Sequence, residues 1–566
     1  MKVVTYIARF LKSKNIDTVF ELQGGMITRI IDELYREGGI TIVSVHHEQA
    51  AAMAADAYAR VKNIPGVALA TSGPGATNLI TGIGNCYFDS VPAIFITGQV
   101  NLNELKGDRP IRQLGFQETD IVSIVKPITK AAYAIKSANE IPTVLQQAFK
   151  IAMEGRPGPV LIDIPMNLQH AECDEFLAYD LSEANQFSDD LQTNFIAEFN
   201  EVLSKSKRPL ILAGRGVRTA GAINELIQFL EKTNIPLVTS LNGLDIIPYN
   251  HPNRVGFIGS YGNRWANYAL GTCDLLLVLG SRLDLRQTGA DVTSFSERKK
   301  IFHIDIDKGE LKNRITDCSV LQSDLGVFLV ELLATNLRTI DYTNWYNEIS
   351  EKKQERPDTA ELSNIKGINP NKFIHSLSKL SKMAKAFSSD VGSNQMWVSQ
   401  SVELTENQLF LTSGGMGAMG YSLPAAIGAC YALNKIPVVA ISGDGGFQIN
   451  IQELQTIRRN NLPIKIVIIN NHCLGMIRQF QDSYFESNYA STVWGYSAPN
   501  FVAVANAYGI LSMKIDDEAQ IAEGLAKLWE NPNEPYLLEV TVDIHTNVYP
   551  KMLFGNPITE MEGEEI

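Results

Sequence analysis

A lone acidic side chain, Asp444, stands between two glycines at the end of an apolar run in the segment VVAISGDGGFQINIQEL. The next apolar run, IKIVIINN, ends in the amides Asn470 and Asn471. If the two runs are parallel strands, their carboxyl ends meet at one edge of a sheet, where ligands bind. Carboxylate and amide oxygens suit a hard cation such as Mg2+ that also binds phosphates. The alternative is a strand-end turn in which Asp444 caps a helix beginning near Ile449.

Glu48 is the second candidate for chemistry. It follows an apolar run and opens an alanine-rich helical segment in VSVHHEQAAAMAADAYAR. A carboxyl group that is shielded from water can share a proton with a coenzyme ring instead of staying ionised. The alternative is that Glu48 only complements the positive end of its helix. His46 and His47 are expected to form local hydrogen bonds, because no third metal ligand is visible nearby.

The glycine-rich stretch GGMGAMG, residues 414–420, fits the dinucleotide pattern G-x-G-x-x-G,. A Rossmann unit would place an acid at the end of the following strand, where Asp444 stands. A nicotinamide-dependent dehydrogenase is therefore one possible function. The glycines on both sides of Asp444 and the amides after the next strand favour the metal site instead.

Composition restricts the class of protein. The 566 residues are 45% hydrophobic and 20% charged, and the net charge of −13 argues against nucleic-acid or anionic-membrane partners,. The six cysteines lie far apart without a C-x-x-C pair, which predicts neither a disulfide framework nor a zinc ribbon,. The N-terminus reads as an amphipathic helix, and no apolar window is long enough to span a bilayer. A cytoplasmic location is expected.

Three blocks alternate short apolar runs with helical patterns, which predicts an α/β fold of three doubly wound parallel-sheet domains. Strands are predicted in TIVSVH, VALATS, PAIFITGQ and PGPVLIDIP, then in RPLILAGRG, PLVTSLNG, DLLLVLGSRLD and KIFHIDID, and finally in KAFSSDVG, QLFLTSGG, IPVVAISGDGG and IKIVIINN. The expected domains are 1–170, 196–340 and 371–545, with polar linkers at 171–195 and 341–370 and a tail at 546–566.

The chain resembles the catalytic subunit of the acetohydroxyacid (acetolactate) synthase family of thiamine-diphosphate enzymes. The GDG and NN pairs match the thiamine diphosphate signature, and the resemblance extends over nearly the whole chain. It is carried by HEQAAAMAADAYAR, ATSGPGATNLITGI, FITGQV, FQETDIV, GRPGPVLIDIP, HIDID, GMGAMGYSLPAAIGA, ISGDGGFQINIQEL and LGMIRQFQD.

The resemblance implies a pyrimidine-binding domain first, a central FAD-binding domain of Rossmann type, and a diphosphate-binding domain last. It places Glu48 of one subunit opposite Asp444 of another, in a homodimer or tetramer that a regulatory subunit could join. It assigns Mg2+ to Asp444, Asn471 and the carbonyl of Cys473, gives Met419 the role of holding the coenzyme bent, and puts Gln117 and Lys130 at the substrate entrance. Its further coenzyme contacts are Gly24, Gly25, Pro74, Asn78, Gln395, Met396, Gly417, Gly443, Gly445, Gly446 and Met476.

The resemblance also implies FAD that performs no redox step. The run GSRLDLRQTG is similar to the flavin-contacting run of the family. Matching flavin positions are Arg156, Gly214, Arg282, Asp305 and Asp324. The alternative is that these glycines and acids only end Rossmann-like strands.

The implied reaction decarboxylates pyruvate and adds the two-carbon unit to a second carbonyl compound, another pyruvate giving 2-acetolactate. The coenzyme supplies the difficult chemistry. Departures from the family concern the acceptor: Phe480 replaces a tryptophan, Leu285 replaces an acid beside Arg286, Leu22-Gln23 replace Tyr-Pro, and the loop 101–117 is longer. Arg286 is expected to bind an acceptor carboxylate. A keto-sugar or aldehyde acceptor, as in a branched-chain-sugar side branch of the family, therefore remains an alternative, as do a non-ligating decarboxylase or oxidase and a silent flavin-binding partner.

Overall fold

Three parallel sheets of six strands each organise the chain, as the sequence predicts. The computed structural model describes residues 1–174, 189–337, 339–362 and 365–563. Most internal strands are buried along their whole length, because helices cover both faces of each sheet,. No helix among these residues is both long and apolar enough to cross a membrane.

The first sheet is built from the N-terminal block. Its strands are β1 (Thr18–Leu22), β2 (Thr41–Ser44), β3 (Gly66–Ala70), β4 (Ala93–Gln99), β5 (Ala131–Ala134) and β6 (Pro159–Pro165). Its helices are α1 (Val3–Ser13), α2 (Thr28–Glu37), α3 (Glu48–Lys62), α4 (Pro74–Asn78), α5 (Ile80–Phe88), α6 (Ile121–Val125), α7 (Ile141–Met153) and α8 (Met166–Gln169). The spatial order is β2-β1-β3-β4-β6-β5, so the strand order reverses between β1 and β3.

The second sheet has the strand order of dinucleotide-binding Rossmann folds. Its strands are β7 (Pro209–Ala213), β8 (Leu237–Thr239), β9 (Arg254–Phe257), β10 (Leu275–Leu279), β11 (Lys300–Asp305) and β12 (Ser319–Gln322). Its helices are α9 (Asp189–Leu203), α10 (Gly216–Thr219), α11 (Ile223–Thr233), α12 (Arg264–Thr272), α13 (Leu285–Thr288), α14 (Val292–Ser296) and α15 (Leu325–Ala334). The order β12-β11-β10-β7-β8-β9 reverses between β7 and β10, and such a point is where ligands bind in open sheets,.

The third sheet repeats the order of the first. Its strands are β13 (Ala386–Ser389), β14 (Leu409–Thr412), β15 (Val438–Gly443), β16 (Ile464–Asn470), β17 (Leu511–Ile515) and β18 (Tyr536–Thr541). The helices here are α16 (Thr343–Glu355), α17 (Pro370–Leu380), α18 (Ser393–Ser401), α19 (Ser422–Ala432), α20 (Asp444–Ile449), α21 (Leu454–Arg459), α22 (Gly475–Tyr484), α23 (Phe501–Ala507) and α24 (Ile521–Leu528). The order β14-β13-β15-β16-β18-β17 reverses between β13 and β15.

The segments expected as linkers and tail carry structure of their own. Helix α9 begins at Asp189, inside the expected linker 171–195, of which 175–188 lie outside the described residues. In the second segment, 341–370, α16 buries Trp345 in the core of the central domain, while 363–364 are not described. The tail forms an antiparallel pair, β19 (Lys551–Met552) and β20 (Met561–Glu562), before the undescribed 564–566.

Helix α3 is buried on nearly every side, which fixes the position of Glu48 at its first turn. Its alanines allow close packing against α19, where a Cβ on Gly428 would lie 2.0 Å from the carbonyl oxygen of Ala54. Residues as small as alanine and glycine are needed for backbones to come this close. The alanine-rich sequence around Glu48 therefore serves to hold the first and third domains together.

His375 joins the linker to the third domain through two acids. Its Nδ1 lies 2.7 Å from Glu403 Oε1 and its Nε2 2.8 Å from Asp358 Oδ2. Burial alone would lower the pKa of His375, but the hydrogen bonds and charges of Asp358 and Glu403 outweigh it and raise the pKa above 6.5. Lys379 lies 3.4 Å from Glu403, and the ring of Tyr249 lies 6.2 Å from that of His375.

This cluster predicts a pH-dependent stability. Because the folded pKa of His375 is raised, its contribution is complete below pH 6.5 and disappears as pH rises through the folded value,. The urea midpoint of the wild type should therefore fall between pH 6 and pH 9 by more than that of His375→Gln. Equal pH dependence in the two proteins would contradict the assignment.

Candidate active site

The first group of predicted residues lies where the first sheet reverses its strand order; we call it the Glu48 cluster. Glu48 is buried, and the amide of Asn78 donates to its Oε2 over 2.9 Å. Its Oε1 has no hydrogen-bond donor among the described residues and faces Gly75, where a Cβ would lie 3.1 Å away. One carboxylate oxygen is thus held by the protein, and the other is left for a ligand.

The loops after β1 and β3 complete the Glu48 cluster. Gly24 packs so closely on Thr71 that a Cβ would lie 2.5 Å from its side chain, while nothing lies within 4 Å of a Cβ on Gly25. Pro74 opens α4, and Gln117, in the left-handed region with φ of 66°, packs against Gly73. The members of the cluster are Glu48, Gly24, Gly25, Pro74, Asn78 and Gln117.

A second group lies where the third sheet reverses; we call it the Asp444 cluster. The Oδ1 of Asn471 lies 3.1 Å from Asp444 Oδ1 and 2.8 Å from the carbonyl oxygen of Cys473. This amide oxygen accepts one long bond of 3.3 Å from the N–H of Cys473. Reversing the amide would let its nitrogen donate to both oxygens, and in the orientation described three oxygens face one another in a way that suits a cation between them,.

The donor set of this triad fits Mg2+. Bonds of 2.0–2.1 Å in an octahedron place neighbouring ligand oxygens about 2.9 Å apart, which agrees with the separations here. Burial raises the pKa of Asp444 to about 6, and Tyr496 donates to its Oδ2 over 2.9 Å. A cation at this place would favour the ionised carboxylate. Among the described residues, no group of three or more His, Cys, Asp or Glu side chains could hold a metal instead.

Glycines clear the space in front of the triad. A Cβ on Gly445 would lie 2.7 Å from Leu474 and 3.4 Å from the methyl group of Met419, and one on Gly446 would lie 2.5 Å from Asp390. A Cβ on Gly443 would likewise lie close to the side chain of Asn394. Gly417, with φ of 66°, has open space around it. Gln395 donates to Thr412 and to the carbonyl of Ser413, Met396 follows it on α18, and Met476 lies partly buried on α22.

The alternative interpretations of these motifs do not fit the sheet. A dinucleotide fingerprint on residues 414–420 requires β14 and β15 to be neighbours, but β14 pairs with β13 alone. Helix α20 begins at Asp444 itself instead of near Ile449. Of the two amides, only Asn471 faces Asp444, because Asn470 donates to Glu539 inside the sheet.

The third group lines a cavity of about 390 Å³ at the reversal point of the second sheet, which we call the central cavity. Gly216 and Gly280 line its floor, and the predicted Gly214 packs directly beneath Gly280. A Cβ on Gly214 would lie 2.2 Å from the carbonyl oxygen of Gly280, and one on Gly216 would lie 2.7 Å from the Cα of Gly280. Predicted flavin residues that line the cavity are Arg156, Arg282, Asp305 and Asp324. This glycine floor between the two central strands fits an extended dinucleotide such as FAD.

The charged residues of the central cavity differ in their burial and in their hydrogen-bond and ion-pair partners. Asp305, at the end of β11, is buried, which raises its pKa to about 6. Asp324 accepts from the N–H groups of Gly326 and Val327 and caps α15. Arg156 donates to Ser90 over 2.8 Å and pairs with Asp307 and Glu310. Within the described part of the chain, the guanidinium of Arg282 contacts only Asp284, over 3.4 Å, and is the freer of the two.

The residues expected near the acceptor lie in different places. Arg286 lines the central cavity and is exposed, and its guanidinium makes no hydrogen bond within the described chain. Phe480, 51% exposed on α22, packs against Tyr484 and Phe485 with ring centroids 4.8 and 5.6 Å away. Lys130 donates to the carbonyl of Glu154 over 2.5 Å, and burial lowers its pKa.

The structure therefore brings the predicted residues into three groups, not into one. In the portion of the chain that is described, no hydrogen bond joins the Glu48 cluster to the Asp444 cluster. Each cluster is completed by residues of its own domain and leaves an open oxygen or an oxygen triad for a ligand.

Three residues at these sites escape the sequence motifs. Tyr496 and Asp89 lie in stretches without any distinctive pattern. Arg215 stands between two glycines in AGRGV, which is a signal that a charge follows a strand. It lines the central cavity, lies 4.0 Å from Asp245, and burial together with Arg60 and Arg218 lowers its pKa to about 10. Such a weakly paired arginine suits an anionic ligand group.

Comparisons with known proteins agree with this geometry. The chain matches the models of the thiamine pyrophosphate enzymes' N-terminal TPP binding domain over 1–124, central domain over 196–332 and C-terminal TPP binding domain over 390–540. It is 36% identical to the acetolactate synthase isozyme 2 large subunit of Escherichia coli (strain K12), over 99% of both chains. It is also 36% identical to the acetolactate synthase large subunit of Lactococcus lactis, over 98% of this chain and 95% of that one. The probable acetolactate synthase large subunit of Methanocaldococcus jannaschii is 37% identical, over 96% and 92%.

Proposed function

This chain belongs to the acetolactate synthase family of thiamine pyrophosphate enzymes, and from that premise we propose that it decarboxylates pyruvate and joins the two-carbon unit to a second pyruvate, giving 2-acetolactate. The observation that carries the proposal is similarity over essentially the full length of proteins named acetolactate synthase. Fold analogy alone would not support an activity. Here the carboxylate and the oxygen triad that the chemistry needs are also present.

Thiamine diphosphate, when bound, supplies the carbon nucleophile and the electron sink for removing carbon dioxide from a 2-oxo acid. Glu48 is the proton-handling residue in this proposal. Asn78 fixes its Oε2, so Oε1 can hold or release a proton toward the coenzyme ring. The buried setting excludes water from that exchange,.

Asp444, Asn471 and the carbonyl of Cys473 would hold Mg2+, and the glycines beside them leave room for the diphosphate. Met419, whose methyl group lies beside Gly445, would hold the coenzyme bent, and Gln395, Gly417 and Met476 would line its site. Met396, proposed as a further coenzyme contact, also lines the central cavity. We further propose that the central cavity takes FAD, with Arg156, Arg282, Asp305 and Asp324 of its lining as contacts and Gly214 supporting the lining Gly280. The flavin has no redox step in the proposed reaction.

We propose that two copies of the chain share each active site, with the Glu48 cluster of one protomer facing the Asp444 cluster of its partner. The support within one chain is that no hydrogen bond among the described residues joins the two clusters, each of which leaves oxygens open for a ligand. The first domain would then bind the pyrimidine and the third the diphosphate. The designation of the relatives as large subunits supports a further, regulatory partner.

The test is a product assay on purified protein. With pyruvate, Mg2+ and thiamine diphosphate, one acetolactate should form for each carbon dioxide released. Carbon dioxide with acetaldehyde or acetate, and without acetolactate, would make the protein a decarboxylase or an oxidase instead. Binding of NADH with no response to thiamine diphosphate would support the dehydrogenase.

A larger carbonyl acceptor is the second candidate function. Leu285, 48% exposed, stands where the family has an acid, and the guanidinium of the neighbouring Arg286 makes no hydrogen bond within the described chain. Arg109 and Arg112 are exposed, and both lie in the long loop 101–117 that ends at Gln117. These features suit an acceptor with a polar or charged extension, such as a nucleotide-activated keto-sugar, and product formation from pyruvate plus such acceptors would reveal it.

Replacing Phe480 by tryptophan should change which acceptor the enzyme prefers. The larger ring should fill the half-exposed aromatic group of Phe480, Tyr484 and Phe485 and raise the preference for 2-oxobutyrate over pyruvate. One methylene in an apolar pocket changes selectivity by about 10–200-fold, so competition between the two acceptors measures it. Tyr35→Trp, which enlarges an exposed ring in the first domain, is the control. An unchanged product ratio in Phe480→Trp would remove Phe480 from the acceptor pocket.

A further inference from the structure

Asp89 joins all three domains through one carboxylate. It follows α5 in the first domain, is buried, and accepts from Arg60 over 2.9 Å and from the amide of Asn242 in the central domain over 3.0 Å. It also accepts from the backbone N–H groups of Gly414 and Gly415 in the third domain, over 2.9 and 2.7 Å. The donors come from three places in the chain: helix α3, the turn after β8 and the loop after β14.

The glycines are required for this junction. A Cβ on Gly414 would lie 2.4 Å from Asn242, and one on Gly415 would lie 2.8 Å from Phe88 Cβ. The first two glycines of GGMGAMG therefore serve to let Asp89 and Asn242 reach the backbone. The loop they begin continues to Met419, which lies beside Gly445 of the Asp444 cluster.

Arg60 extends the junction to the helix that carries Glu48. Its Nε donates to Asp56 over 2.7 Å, and Tyr421 of α19 donates to the same carboxylate over 2.6 Å. The side chains of Arg60, Asp56 and Asp89 are at most 2% exposed. Buried charge networks of this kind have few alternative arrangements, because a group that loses its partner is left unsatisfied.

The same junction forms one wall of the central cavity, which is lined by Asp89, Asn242 and Gly414. A ligand in the cavity would thus contact groups that hold the start of the loop 414–420. A site that binds tighter because another ligand has already ordered it shows positive coupling.

We propose that Asp89 is a positioning residue that couples occupancy of the central cavity to the affinity for thiamine diphosphate. The inference rests on the proposed function, since it requires that FAD binds in the cavity. It gives the flavin a role that needs no redox step: FAD orders Asn242, Asp89 and Gly414, and through them the loop that ends at Met419.

The experiment measures the Kd of thiamine diphosphate at fixed Mg2+ by titration calorimetry on the cofactor-stripped full chain, with and without saturating FAD. In the wild type, saturating FAD should lower the Kd of thiamine diphosphate by about tenfold, which is within the usual range of coupling between sites. By linkage, thiamine diphosphate should lower the Kd of FAD by the same factor. Asp89→Asn, which keeps the shape and removes the charge, should bind both ligands with Kd values independent of each other.

Two further variants make the result specific. Asn242→Ala removes only the hydrogen bond from the central domain to Asp89. It should therefore lose the coupling but keep the wild-type Kd of thiamine diphosphate in the absence of FAD. If Asp89→Asn does not fold, Asn242→Ala is the variant that tests the coupling. Asp274→Asn removes the charge of a carboxylate that binds backbone N–H groups within one domain, and it should keep the coupling.

The outcomes separate the inference from the function. Coupling that persists in both Asp89→Asn and Asn242→Ala would overturn the role of Asp89. Binding of both ligands to the wild type without coupling would also overturn it, and the proposed function would stand. Failure of the wild type to bind FAD would instead contradict the proposed cofactor.

Discussion

Replacing Glu48 by glutamine should reduce turnover about 10²–10⁴-fold, the usual contribution of a positioned proton-transfer group. The glutamine side chain has the same shape and can still meet the Asn78 amide, so the pocket should keep its form. It cannot take up or release a proton at the position of Oε1. The Kd of thiamine diphosphate should therefore change little while kcat falls, and the two are measured by titration calorimetry and by acetolactate formation.

Glu21→Gln is the matched control for this variant. Glu21 is also a buried glutamate of the first domain, on β1, and its carboxylate bonds to Ser44 instead of facing a ligand site. Its replacement should leave kcat within a few-fold of the wild type. Near wild-type turnover in Glu48→Gln would overturn the role given to Glu48, whatever the control shows.

Replacing Asp444 by alanine should weaken thiamine diphosphate binding by about a hundredfold or more. Loss of partners that only orient metal ligands already costs 10–100-fold in metal affinity, and Asp444 is the charged member of the oxygen triad. The alanine variant leaves Asn471 and the Cys473 carbonyl without an anionic ligand. The measurement is the Kd of thiamine diphosphate as a function of Mg2+ concentration, which should rise and lose its dependence on the metal.

Asp543→Ala provides the comparison for Asp444→Ala. Asp543 follows β18, the strand beside β16, and its carboxylate accepts only from the backbone N–H of His545 among the described contacts. Its loss should not change the dependence on Mg2+. A metal-dependent affinity in Asp444→Ala equal to that of the wild type would remove Asp444 from the metal site.

Most of the strands that the sequence predicts have a core of consecutive apolar residues. Every one of these twelve runs contains a strand, and the other six strands of the three large sheets have physical reasons for being missed. β5, β9, β12 and β17 lie at sheet edges, where burial is weaker and the apolar pattern is short. β1 and β18 are internal, but each contains a buried glutamate, Glu21 or Glu539, that interrupts the run.

The site was predictable where a motif follows a strand and not where a residue acts across domains. Asp444 and Asn471 are found from strand ends alone, because parallel strands bring their carboxyl ends together. Asp89 and Asn242 meet Gly414 only through the packing of three domains, which no local pattern encodes. The same is true of Tyr496, which reaches Asp444 from a loop without regular structure.

The shared active site is tested most directly by mixing two inactive proteins. Glu48→Gln and Asp444→Ala are unfolded together in equal amounts and refolded, so that heterodimers form beside the two homodimers. If Glu48 of one protomer serves Asp444 of its partner, each heterodimer has one intact site, and random pairing restores about a quarter of wild-type acetolactate synthesis. If both groups serve the same chain, every site carries a lesion, and the mixture stays as inactive as either variant alone.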